Sequence, residues 1–159
     1  MTKVYRKGAT GALLDEYERA VSDLKRVISA IPDNALTIIT DPHTADDNCK
    51  SVQTILSHVV HSGYGYATSI HNLKGHNKPK PAKVFHLTIK EYTDDLTGVI
   101  SFTEDVLKEF KEEELEQLDN ALKIITGWGQ QYDVEQLMEH AIVHILRHRR
   151  QIEKIEFKG

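Results

Sequence analysis

Apolar residues recur at intervals of three and four positions along four segments of this chain, and no segment alternates as a half-buried strand does. These segments span, approximately, residues 11–31, 51–73, 88–110 and 133–157. Pro32 ends the first segment. The third opens with TIKE, in which Thr88 can accept from the amide of Glu91 and Glu91 can reach back, as in a capping box. The fourth opens at Asp133 with a second capping signal, DVEQ. The pattern predicts four amphipathic helices.

The connections between these helices are long and polar. Residues 32–50 include the turn-forming stretch TDPHTADDN, and glycine and prolines interrupt KGHNKPKPAK after the second helix. A connection as long as 32–50 can cross the end of a bundle, so the helices that flank it need not be antiparallel neighbours. The chain has no internal repeat, low-complexity tract or linker. We therefore predict one domain, residues 1–159, with an all-α fold: a four-helix bundle with a long connection between helices 1 and 2.

Charge and composition exclude several classes of partner. The net charge of −4 argues against a general affinity for nucleic-acid phosphates. No apolar run approaches the length of a bilayer span, and the first twenty residues lack the apolar core of a secretion signal. Cys49 is the only cysteine, so no intramolecular disulfide can form. We expect a cytoplasmic protein without nucleic-acid or membrane partners.

The histidines of the second and fourth helices differ in direction on a helical wheel. In EHAIVHILRHRRQIEK, His148 lies near the middle of the apolar stripe, His144 about 40° towards one border and His140 about another 40° beyond it. In the second helix, His58 lies at the border of the stripe, and His61 lies about 60° further out. Three histidines are therefore expected to converge inside the bundle, with ring nitrogens a few ångströms apart: His58, His144 and His148. The other two are expected at the rim, outside any metal coordination.

The inward histidines admit two interpretations. One histidine on an apolar face is more often a hydrogen-bonded core residue than a ligand, and a pair spaced i, i+4 can be only a surface feature. Burying two or three imidazoles costs free energy, however, unless each ring nitrogen has a partner. A divalent ion bound by neutral imidazoles supplies such a partner. The glutamate of the HExxH motif is absent, since Ile145 follows His144, so the pattern does not indicate a zinc protease of that type.

Three stretches of the chain resemble the DinB/YfiT-like family of predicted metalloenzymes, the damage-inducible proteins rather than the DNA polymerase that shares the name. HAIVHILRHRRQIE resembles the family's H…H…HRxQ signature, with Gln151 three residues after His148. TGWGQQYDVEQLMEHAIVH resembles its Trp-Gly stretch and the helix start that follows, and SVQTILSHVVHSG resembles its second-helix segment with one ligand histidine. A glycine often separates Arg and Gln in the family where this chain has Arg150, and we expect no effect of this departure on the site.

The resemblance implies a fold, a cofactor and an assembly. Family members are four-helix bundles, commonly dimeric, with a three-histidine site for a divalent metal such as nickel or zinc. Carried over by position, it implies that the metal ligands are His58, His144 and His148, the same three that the helical wheel selects. It also implies a homodimer. Some relatives are metal-dependent enzymes that transfer a low-molecular-weight thiol to an electrophile or isomerise through a thiol adduct, and others have no known activity.

We therefore hypothesise a divalent-metal-dependent enzyme that acts on a small molecule, by transfer of a low-molecular-weight thiol or by hydrolysis. The alternative is a non-enzymatic, stress-associated metal-binding or interaction bundle. Tyr66 and Glu139 could lie near the site, but helical spacing favours the core for Tyr66 and the surface for Glu139. Because free histidine titrates near ~6.5, we expect the contribution of a metal to stability to fade as the pH falls through that value.

Overall fold

The structure, a computed structural model, describes residues 2–157; residues 1, 158 and 159 of the predicted domain lie outside the described part. Its helices are α1 (Gly8–Ile28), α2 (Val52–Asn72), α3 (Ile89–Leu107) and α4 (Val134–Glu153). A two-stranded antiparallel hairpin, β1 (Ile124–Ile125) and β2 (Gln131–Tyr132), precedes α4. The prediction of an all-α four-helix bundle is confirmed. The hairpin was not predicted, because strands of two residues are too short to show alternation.

Side-chain caps set the starts of three helices. The capping box predicted for α4 is present: Gln136 donates its amide to Asp133 Oδ1 at 2.8 Å, and its side chain accepts from the Asp133 amide at 3.0 Å. At α3 only half of the predicted box forms. The Glu91 amide donates to the Thr88 hydroxyl, but the Glu91 carboxylate accepts from that hydroxyl at 2.7 Å and not from the backbone. α2 begins with a capping box at Ser51 that was not predicted.

The ends of α1 and α4 come earlier than predicted. α1 ends at Ile28, several residues before Pro32. α4 ends at Glu153, whereas the apolar periodicity of the sequence continues to about Phe157. Ile155 still packs against the core, although it follows the helix. Ile155 therefore continues the apolar pattern of the sequence although it lies beyond the helix.

Contacts at several heights define the direction of each helix. Ser57 meets Tyr92 near the starts of α2 and α3, with 2.6 Å between their hydroxyl oxygens, and His71 meets Glu109 at their far ends. α2 and α3 are therefore parallel neighbours. α4 runs antiparallel to α2, since His58 contacts both His144 and His148 while Tyr66, further along α2, contacts His140. α1 packs against α3 and α4, opposite α2.

This arrangement explains the long connections. α1 and α2 lie at opposite corners of the bundle, so the chain between them crosses its end, as the length of the connection allows. The parallel α2 and α3 require residues 73–88 to return along the bundle. Near its end this return segment is bound to the helices: the His86 amide donates to Tyr92 Oη at 3.0 Å, and Gln53 donates to the His86 carbonyl at 2.9 Å.

The core lies between the four helices and includes the fully buried rings of Tyr17 and Tyr92. α2 approaches α3 closely at Gly63, where an added Cβ would lie 2.7 Å from Cγ1 of Val99. Any larger residue at this position would force the two helices apart.

Candidate metal centre

The structure brings His58, His144 and His148 together between α2 and α4, and we call these residues the triad. The Nε2 atoms of His58 and His144 are 3.0 Å apart, and those of His144 and His148 are 3.2 Å apart. All three ligand atoms lie within 4.8 Å of one another. The predicted convergence is therefore present in the structure, while the role of these residues as ligands stays a prediction.

The antiparallel packing of α2 and α4 positions the triad. The four-residue spacing of His144 and His148 places one ring a turn above the other on α4, and α2 supplies the third ring from across the interface. His148 is 5% exposed and the other two are partly buried, as their positions on the wheel indicated.

A hydrogen bond to Gln151 orients His148. Its Nδ1–H donates to Gln151 Oε1 at 2.7 Å, which leaves a lone pair on Nε2 when the ring is neutral. If His144 Nε2 carries a hydrogen, that one hydrogen cannot form good hydrogen bonds to both His58 Nε2 and His148 Nε2. Without a cation, the three nitrogens therefore lack a full set of hydrogen bonds, whereas one cation among them would satisfy all three lone pairs.

Burial keeps the triad neutral. Burial, together with the positive charge of a neighbouring protonated histidine, lowers the pKa of His58 to about 4 and that of His144 to about 3. The pKa of His148 is also lowered, mainly by burial, although its bond to Gln151 opposes the shift. All three rings are therefore in the form that binds metals at neutral pH.

The low pKa values correct one expectation from the sequence. From the sequence, we expect protons to compete with a metal for the three imidazoles near the pKa of free histidine. Because the pKa of all three folded rings is lowered, to about 4 for His58 and about 3 for His144, that competition lies below ~6.5. The reason is the desolvation of the rings, which the sequence pattern did not quantify.

The loop before α2 adds a carboxylate near the triad. Asp46 caps the short turn Asp47–Cys49, and its pKa is lowered mainly by the hydrogen bond from the Asn48 amide, with a contribution from the charge of His58. Its negative charge in turn opposes the lowering of the pKa of His58 and of His148. Lys83 binds Asn48 and acts in the opposite direction on His58. The surroundings of the triad are thus polar on the side of this loop.

A cleft of about 220 Å³ leads to the triad at His58. Its wall includes residues from α2, the return segment and the hairpin region: His61, Tyr66, Lys80, Thr126 and Trp128. Burial raises the pKa of Tyr66 to about 12, so its phenol stays protonated at neutral pH. The Tyr66 ring lies 5.8 Å, centroid to centroid, from that of His144. The cleft gives a small molecule access to one side of the triad.

The hairpin loop presents Trp128 at the mouth of the cleft. Gly129 adopts φ +88°, a conformation that favours glycine, and its amide donates to the Thr126 carbonyl at 2.9 Å. The Trp128 indole N–H donates to Gln130 Oε1 at 3.0 Å. The Trp128 ring stacks on His140, with 4.9 Å between centroids and 25° between planes. TGWGQQY thus forms a turn that holds an aromatic platform over α4.

The residues expected at the rim lie there. His140 and His61 are partly buried and outside the group of converging nitrogens, and His61 lines the cleft. Glu139 is exposed, as predicted. Tyr66 lies in the cleft wall rather than the closed core, which its helical spacing alone did not reveal. Sequence reasoning missed Lys80 and Trp128 as cleft residues. The stretch GWG resembles a family motif but does not itself indicate where the Trp128 ring lies, and Lys80 lies outside the periodic helical segments.

Comparisons with known proteins complete the description of the site. The sequence model of the DinB family matches residues 2–154, nearly the whole chain and all three members of the triad. The curated proteins contain no match to the chain. Between residues 2 and 157, no helix combines the length and the apolar character needed to cross a membrane.

Proposed function

The chain belongs to the DinB family, and from this membership and the triad we propose that it is a divalent-metal-dependent enzyme acting on a small molecule. The ion would be held by His58, His144 and His148. The observation that carries the proposal is the convergence of three Nε2 atoms, at 3.0 and 3.2 Å, beside a cleft that His58 lines.

The donor set fits the metals that the family resemblance implies. Neutral imidazole nitrogens suit zinc and nickel, and three protein ligands leave open positions, as in catalytic rather than structural sites. The bond from His148 to Gln151 is the kind of support that orients a ligating histidine. When bound, such an ion acts as a Lewis acid that lowers the pKa of a thiol or a water and so makes a nucleophile available near neutral pH.

The surrounding residues would bind and orient the substrate. The Trp128 face and the neighbouring His140 ring offer an aromatic surface for an apolar part of the substrate. The Lys80 ammonium can pair with an anionic group, which low-molecular-weight thiols commonly carry. The Tyr66 phenol, protonated at neutral pH, can donate a hydrogen bond to the reacting group. Transfer of such a thiol to an electrophile is therefore our first choice of reaction, and hydrolysis is the second.

A direct experiment separates the enzyme from a non-enzymatic metal-binding or interaction bundle. Natively purified protein is analysed for metals and then screened with several low-molecular-weight thiols against a panel of electrophiles. Tyr66→Phe, which removes only the hydroxyl, should keep the metal and lower turnover by roughly 10²-fold or more if the phenol assists proton transfer. Metal-loaded protein without turnover on any thiol, ester or amide would favour the alternative.

The homodimer implied by the resemblance is also a proposal. A groove between α1 and α4, lined by Leu13, Ile142 and the exposed Val143 together with three glutamates, offers a surface for it. Light scattering coupled to gel filtration tests the mass, and Val143→Glu should shift a dimer towards monomer while leaving the triad intact.

A further inference from the structure

A second group of metal-ligating side chains lies at the opposite end of α2. His71 is in the last turn of α2, His76 is in the return segment, and Glu109 follows the end of α3. One ligand atom from each lies within 4.8 Å of the others. His76 Nε2 is 2.8 Å from Glu109 Oε2, and His71 Nδ1 is 3.4 Å from Glu109 Oε1. Both carboxylate oxygens thus face imidazole nitrogens. We call these three residues the end cluster.

The parallel arrangement of α2 and α3 makes this end of the bundle favourable for a cation. Both helices end here, so the negative ends of two helix dipoles lie side by side. The last turn of α3 contains no basic residue, and Glu109 adds a further negative charge just beyond it. The nearby Lys74 pairs with Glu114, and its positive charge also contributes to lowering the pKa of Glu109.

The backbone of the return segment is held so that His76 covers His71. The Asn72 side chain donates to the Lys78 carbonyl and accepts from the Lys78 amide, each at 3.0 Å. This double contact closes a short loop that carries His76. The two imidazole rings stack with 3.8 Å between centroids and 7° between planes. The pairing of the two histidines is therefore imposed by hydrogen bonds outside the cluster.

One ligand atom of the end cluster lacks a partner. His71 Nδ1 is buried and makes no hydrogen bond, and its contact with Glu109 Oε1 at 3.4 Å is too long to replace one. Two imidazoles and a carboxylate form a donor set typical of zinc-like divalent ions. We propose that the end cluster is a second metal site, at which such an ion would join three segments of the chain. Because the two rings stack nearly parallel, their in-plane lone pairs do not yet converge, so binding would require the more exposed His76 ring to turn towards the ion.

An ion bound at the end cluster would also restrain one wall of the cleft. Residues 76–80 connect the end cluster to Lys80, which lines the cleft beside Gly65. An ion bound to His71, His76 and Glu109 would cross-link α2, the return segment and α3. It would therefore fix the chain that forms one wall of the cleft without touching the triad.

The experiment first removes the triad as a competing site. In the full chain, His58→Ala/His144→Ala leaves a single triad histidine, and Zn²⁺ binding is measured by competition with a chromophoric chelator near neutral pH. We expect one Zn²⁺ per chain. Adding His76→Ala or Glu109→Gln should weaken Zn²⁺ binding by about 10-fold or more. Loss of a residue that only hydrogen-bonds a metal ligand already costs about that much, and loss of a ligand itself should cost no less. His43→Ala, which removes an exposed histidine outside the cluster, should have no effect.

Hydrogen exchange gives an independent measurement. Zn²⁺ should slow amide exchange in residues 74–80 of the double variant, and His76→Ala should abolish this protection. Absence of Zn²⁺ binding in the double variant would overturn the proposal and leave the end cluster an ion pair between imidazole and carboxylate. Binding that is unchanged by both His76→Ala and Glu109→Gln would overturn it equally. Neither result depends on whether the triad binds a metal or supports catalysis.

Discussion

The triad and the end cluster both begin on α2, but water reaches them to different extents. Triad residues are partly or fully buried, contribute only nitrogen ligands and have no carboxylate among the converging atoms. His76 and Glu109 of the end cluster are exposed, and Glu109 faces both imidazoles. The pKa of Glu109 is lowered, chiefly by its hydrogen bond with His76.

The difference shows two ways of preparing histidines for a cation. In the triad, burial removes protons from the rings, so the lone pairs face one another without an acidic partner. In the end cluster, an ionised carboxylate attracts a proton or a metal at the surface. A buried set of neutral donors with a cleft beside it suits chemistry, whereas the end cluster draws its ligands from α2, the return segment and the chain after α3 and suits a cross-link between them.

The largest expected effect separates the ligands from their histidine neighbours. His144→Ala removes the central ring of the triad, so affinity for the triad metal should fall by more than about 100-fold, beyond the usual loss from a supporting residue. His140→Ala, one turn away, should leave metal affinity unchanged. Isothermal titration with Ni²⁺ or Zn²⁺ measures both. Loss of the metal in His140→Ala would contradict the assignment of the triad.

Metal-linked stability should have a pH window set by burial. At about pH 8, free metal at ~100 times its dissociation constant should add about 2.7 kcal/mol, or roughly 5–11 °C in the melting temperature. Because the pKa of all three folded histidines is lowered, to about 4 for His58 and about 3 for His144, the difference should persist below ~6.5 and fade as the pH falls further towards 4. His148→Ala should lose most of the part that the triad contributes, and any part that remains is assigned to the end cluster.

The metal-free protein should respond to acid by itself. The unfolded histidines take up protons near ~6.5, and the folded His58 and His144 do so only near 4 and 3. The unfolded state therefore binds more protons as the pH falls below ~6.5, and stability decreases. Calorimetry of chelator-treated protein across this range measures the effect.

If metal-loaded and chelator-treated protein melt at the same temperature at about pH 8, with metal occupancy confirmed in the loaded sample, the triad does not stabilise the fold.

A smaller effect is expected from the residue behind the triad. Gln151→Leu removes the acceptor of the His148 Nδ1–H and should weaken metal binding by about 10–100-fold. Gln151→Glu keeps an acceptor and should retain most of the affinity. Arg150→Ala, an exposed neighbour, is the matched control. Equal affinities for Gln151→Leu and the control would mean that the hydrogen bond does not orient the ligand.

The features that could be predicted from the sequence are those with a regular period. The helices and the inward direction of His148 followed from spacings of three and four residues, because a helix repeats every ~3.6 residues. The start of α4 followed from Asp133 and Gln136, whose side chains reach local backbone groups. In these cases the physical cause lies within a few residues of the position it determines.

What the sequence did not reveal depends on distant contacts. Lys80 and Trp128 reach the cleft through a return segment and a hairpin whose paths are set by Asn72, Tyr92 and Gly129. The end cluster depends on α2 and α3 being parallel, which no local pattern encodes. The low pKa of His144 follows from its burial in the assembled bundle.

The account rests on a divalent ion held among three histidines, and anomalous diffraction tests this most directly. Crystals of natively purified protein, or of protein loaded with Ni²⁺ or Zn²⁺, would be measured on both sides of the absorption edge of the metal. The account predicts an anomalous peak between the Nε2 atoms of His58, His144 and His148. Metal-containing crystals without a peak at that position would contradict it.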